Sequence, residues 1–117
     1  MEDESAMESD PFLKQLLMYL FAGTRGAEMR MKIVSALSER PSNKNQLCEN
    51  LGVDYKAIQY QINVLLKHNL ILSPETESYG ALFFLSPLME KNLAYVKEIW
   101  NKYGKTKINR ANEEKQE

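Results

Sequence analysis

The stretch from Asn43 to Ile71 constrains this chain more than any other. It reads NKNQLCENLGVDYKAIQYQINVLLKHNLI. Asn43 followed by Gln46 has the spacing of a capping box, so a short helix opens there and carries Leu47, Cys48 and Leu51. Asp54 can cap a longer helix with Ala57, Ile58, Ile62, Leu65 and Leu66 on one face. Leu51-Gly52-Val53 leaves room for only a tight turn between them, in a backbone conformation that glycine adopts at least cost. Leu47 and Cys48 before the turn, and Ile58 and Ile62 after it, are spaced to face each other across a crossing. That is helix-turn-helix geometry, with the second helix free to enter a major groove.

The flanking pattern completes a small domain. Asp10 and Pro11 suit the N-cap and first position of a helix bearing Leu13, Leu16, Leu17 and Leu20, which should stop near Gly23. Thr24 can cap a second helix built on Ala27, Met31, Val34 and Leu37, and Pro41 closes it. After His68 and Asn69, Leu70 to Leu72 reads as a strand and Ala81 to Leu85 as its return. Ser86 and Pro87 then start a last helix. The fold class expected is mainly α (α+β), a winged helix-turn-helix with a two-stranded wing and terminal dimerisation helices. Residues 11–104 form the domain, and 1–10 and 105–117 are expected to be disordered tails, acidic and polar respectively.

The string LGVDYKAIQYQINVLLKHNLI resembles the core of ArsR-like winged-helix regulators: leucine-glycine, a polar cap, a recognition helix, a leucine pair and an exit into the wing. The resemblance spans roughly residues 24–103. It implies sequence-specific binding to double-stranded DNA. Nothing in the chain resembles a separate activation domain, so a repressor is expected, and the helix spacing below makes it a homodimer on a palindromic site. The residues expected at DNA are Lys44, Tyr55, Lys56, Gln59, Tyr60 and Asn63. Gln and Asn can pair bidentately with adenine edges, lysine reaches guanine or phosphate, and tyrosine donates to phosphate. A merely solvated helix would more often carry Glu and Lys at helical spacing. Gln61 lies toward the flank. Lys44 stands at a helix start, where anions are already favoured. The wing departs from the pattern: Glu75 and Glu77 sit where related wings often carry a basic residue, and DNA would repel them.

Met89, Leu93, Val96, Trp100 and Tyr103 are four, three, four and three residues apart, the spacing of helices packed lengthwise. Together with Leu13, Leu16, Leu17 and Leu20 they are expected at the dimer interface. Two recognition helices related by a two-fold axis would then lie about 34–36 Å apart, one turn of DNA.

Charge permits this reading without compelling it. The whole chain carries −1, yet between Pro11 and Gly104 there are eleven Lys and Arg against eight Asp and Glu. The single Cys48 and single His68 rule out an intrachain disulfide and make a metal centre a poor expectation; Cys48 reads as core packing and His68 as a helix-end residue. No cofactor, no metal and no nucleophile–base set is expected, so the chain does not read as an enzyme. The longest apolar run, Leu16 to Ala22, is too short for a bilayer, and the acidic N-terminus does not resemble a signal peptide, so a cytoplasmic protein with no membrane partner is expected. Two competing readings stay open. One is a winged-helix protein–protein interaction module in a transcription or DNA-processing assembly. The other is a thiol or metal sensor of the same fold.

Overall fold

The structure, a computed structural model, describes residues 10–74 and 80–104. The tails at 1–9 and 105–117 and the wing tip with Glu75 and Glu77 lie outside the described residues. The elements in chain order are α1 (Pro11–Met18), α2 (Ala27–Glu39), α3 (Lys44–Leu51), α4 (Tyr55–Lys67), β1 (Ile71–Leu72), β2 (Phe84–Leu85) and α5 (Pro87–Ile99). Wide π-helical turns at Tyr19–Gly23 and Trp100–Gly104 extend α1 and α5. The chain divides into two compact units, one of residues 29–90 and one of the terminal segments up to Glu28 and from Lys91.

In the 29–90 unit each expected cap is in place. The Asn43 side chain accepts from the backbone N–H of Gln46, and the backbone N–H of Asn43 donates to the Gln46 side chain, both at 2.8 Å. Asp54 accepts from Ala57 N–H at 2.8 Å, and the Ser86 hydroxyl accepts from Met89 N–H at 3.1 Å. Each such cap satisfies an N–H that a helix start otherwise leaves orphaned, a stabilisation of about 1 kcal/mol. Gly52 takes φ +66° and Asn69 φ +59°, so α3 and α4 both end on left-handed residues. Leu47 from α3 and Ile58, Ile62 and Leu65 from α4 are fully buried, as are Ile33 and Val34 of α2 and Leu70 and Ile71 beyond α4. Each buried aliphatic side chain contributes about 1.5–3 kcal/mol.

The strands are shorter than the sequence suggests. They pair antiparallel, with Ile71 opposite Leu85 and Leu72 opposite Phe84. Leu70 meets the returning strand only through its carbonyl, which accepts from Ser86 N–H at 3.0 Å, while its own N–H donates to Leu65 and closes the end of α4. Phe83 pairs elsewhere. Its backbone exchanges two hydrogen bonds with Ser42, at 2.8 and 3.1 Å, so the link between α2 and α3 is stitched to the returning strand.

In the unit of terminal segments, Asp10 accepts from Phe12 and Leu13 N–H, with Pro11 at the first helical position. The Thr24 hydroxyl donates to the Tyr19 carbonyl at 3.0 Å. The two π-helical turns lie against each other, and Leu17, Leu20, Phe21, Val96 and Ile99 are buried.

Candidate nucleic-acid interface

The buried set Ile58, Ile62 and Leu65 fixes the rotation of α4 and therefore what it shows to solvent. Lys56, Tyr60 and Asn63 follow at spacings of four and three on the opposite side, and all three are exposed; Tyr60 is 65% accessible. Lys67, which sequence reasoning left out, continues the same stripe four residues beyond Asn63 and is also exposed. A helical wheel would have found it. The helix holds no carboxylate between Tyr55 and Lys67. The outer stripe therefore offers two cations, a phenol and a carboxamide, with nothing to repel a polyanion.

The remaining expected residues gather on one flank of α4. Lys44, at the first position of α3, donates from Nζ to Gln59 Oε1 at 3.1 Å. The same ammonium lies 5.8 Å from the centroid of the Tyr55 ring and 5.9 Å from that of Phe83, within reach of cation–π attraction. Lys44 and Gln59 are both half-buried as a result. The structure thus separates the six residues into an outer stripe of Lys56, Tyr60 and Asn63 and a flank cluster of Lys44, Tyr55 and Gln59. Phe83 belongs to the cluster, yet nothing in its local sequence links it to Lys44; the Ser42 bridge puts it there.

The other flank is anchored too. Arg30 on α2 is only 5% exposed and donates to Gln61 Oε1 at 2.7 Å. A buried guanidinium needs such partners, because leaving it unpaired would be costly. Gln61 is therefore tied to the body.

Residues 28–73 match the family model for bacterial regulatory proteins of the ArsR family. Over these residues the chain is similar to that family, and they fold as a helix-turn-helix leading into a two-stranded wing. The match runs from α2 through β1, and the family it describes is one of regulators rather than enzymes. Solved structures agree in fold. The transcriptional repressor BigR from Xylella fastidiosa is 12% identical with a TM-score of 0.55, over 86% of this chain and 91% of that one. A variant of Lactococcus lactis ZitR is 18% identical with a TM-score of 0.52, over 97% and 98%. The adhesin competence repressor AdcR from Streptococcus pyogenes is 14% identical with a TM-score of 0.50, over 93% and 90%. No curated protein sequence matches the chain significantly.

The residues expected at a dimer seam are not equivalent in this ArsR-like chain. Leu17, Leu20, Met89 and Val96 are at most 2% exposed, so they fill the chain's own interior and have no face left for a second copy. Leu13, Leu16, Leu93 and Trp100 are half-buried, and Tyr103 is exposed. The large apolar side chains that the terminal helices do show to solvent are Phe12, Met18, Tyr19 and Tyr103. The seven-residue periodicity of the last helix was thus satisfied in part from within.

Cys48 is half-buried rather than a core residue, and its carbonyl accepts from both Gly52 and Val53 N–H at the turn. His68 ends α4, with its N–H directed to Val64 and Leu66. Among the described residues no three His, Cys, Asp or Glu side chains group as metal ligands. No described helix is long and apolar enough to cross a membrane.

Proposed function

We propose that this ArsR-like protein is a cytoplasmic transcription repressor that binds double-stranded DNA as a homodimer on a palindromic site. The carrying observation is the outer stripe of α4. Lys56, Tyr60 and Asn63 are exposed hydrogen-bonding groups on a helix whose opposite face is locked into the core, so a partner can approach without rearranging the fold. Asn63 can pair with an adenine edge, and Lys56 and Tyr60 can reach base or phosphate. The relatives in fold include proteins described as repressors, BigR and AdcR among them. For the homodimer, the support is Phe12, Tyr19 and Tyr103. They are 81%, 61% and 53% exposed, which leaves aromatic area in water unless a second copy covers it.

Selection of bound sites from a random duplex library at fixed salt tests this directly. The expected result is a palindromic consensus with half-sites about one helical turn apart. Replacing Tyr60 and Asn63 together by Ala should abolish enrichment. A wild-type protein that enriches no sequence, even at low salt, would defeat the proposal and favour a protein-contact module.

A further inference from the structure

We propose that Lys44 sets the base preference of the recognition helix by fixing which end of the Gln59 carboxamide faces the DNA. The proposal rests on the DNA-binding reading above and deepens it. An ammonium group can only donate, so the atom of Gln59 that meets Lys44 Nζ at 3.1 Å is its oxygen. The amide nitrogen is then directed elsewhere. No buried side-chain nitrogen or oxygen among the described residues lacks a partner, and Gln59 Nε2 meets no acceptor there, so this nitrogen opens to solvent.

Lys44 is itself held in place. Its ammonium lies by the faces of Tyr55 and Phe83, and Phe83 is fixed by the two backbone bonds to Ser42. Its position therefore depends on the returning strand as well as on α3.

A glutamine free at both ends reads adenine, its nitrogen donating to N7 while its oxygen accepts from N6. Here the oxygen already accepts from a cation. A positive charge beside it disfavours the approach of a second, partly positive N6 hydrogen. Gln59 is left as a donor. It suits a base edge that offers acceptors, O6 and N7 of guanine or O4 of thymine, and disfavours the exocyclic amines of adenine and cytosine. Lys44 thus acts through Gln59 as a positioning residue, and the adenine pairing expected from the glutamine alone is replaced by a donor-only contact.

Site selection with wild type, Lys44→Met, Lys44→Arg and Gln59→Glu tests this, with melting curves to verify folding. Wild type should prefer guanine or thymine at one position of each half-site. In Lys44→Met that position should move toward adenine by about five- to tenfold in relative affinity, with the other positions unchanged. Lys44→Arg, which keeps a cationic donor, should restore the wild-type preference. Gln59→Glu should turn the same position toward cytosine or adenine, since both carboxylate oxygens accept. A folded Lys44→Met protein that binds with the wild-type preference at every position would overturn the proposal. Should that variant not fold, an unchanged preference in Gln59→Glu would overturn it instead. Absence of any consensus for wild type would sink the DNA-binding reading itself, which separates the two failures.

Discussion

The helix-turn-helix and the terminal helices begin alike and end differently. Asn43, Asp54, Asp10 and Ser86 all cap helix starts with side-chain oxygens. At the other ends, α3 and α4 stop abruptly on left-handed residues, whereas α1 and α5 widen into π-helical turns ending at Gly23 and Gly104. The glycines differ accordingly. A Cβ at Gly52 would meet nothing within 4 Å, so that glycine is required by its φ alone. A Cβ at Gly104 would collide with the edge of the Trp100 indole, so that glycine is required by space. Their outward surfaces diverge as well. α4 shows Lys56, Tyr60, Asn63 and Lys67 to water with no carboxylate among them, while the terminal segments show the large apolar side chains Phe12, Met18, Tyr19 and Tyr103. A helix can be exposed in both senses, and the chemistry left outside indicates whether its partner is a polyanion or another apolar surface.

Four measurements would break or sharpen this contrast. The largest effect is expected from Ile62→Ala, which empties a fully buried position behind the outer stripe. It should cost about 2–5 kcal/mol in a denaturant titration, whereas Met18→Ala on α1 should stay within about 0.5 kcal/mol. Next, Phe12→Glu combined with Tyr103→Glu should weaken self-association by about tenfold or more in sedimentation equilibrium while leaving the melting curve of the monomer nearly unchanged. A dimer that survives both charges would mean the terminal aromatics are not its seam. Third, Gly52→Ala should cost about 1–2 kcal/mol because the left-handed conformation penalises any Cβ. Gly23→Ala should be close to neutral by the same titration, as its Cβ would meet only the Met18 carbonyl at 3.4 Å. The smallest change is expected from Glu98→Gln. Its pairing with Lys102 spans 4.0 Å between side chains about 60% exposed, and its loss should shift stability by less than about 0.5 kcal/mol.

What was legible in the sequence was local. The caps at Asn43, Asp54 and Ser86, the turn at Gly52 and the inner face of α4 depend on residues a few positions apart, and these were read correctly. The π-helical turns were not legible, because they arise where packing widens a helix rather than from any residue preference. The Ser42–Phe83 bridge joins residues 41 positions apart and left no periodic trace. Phe83 enters the flank cluster through that bridge. Periodicity on the last helix identified apolar positions rightly but could not say which would be used up inside one chain, and Met89 and Val96 were.

Gln59 and Gln61 grip opposite sides of α4, one to Lys44 and the other to Arg30. Like a pair of guy-ropes, they resist roll of the helix about its own axis in either direction. The intervening Tyr60, with Lys56 and Asn63, is therefore free to vary without altering the pitch at which the helix is presented. A descendant of this chain could change its outward lettering while keeping the frame that holds it.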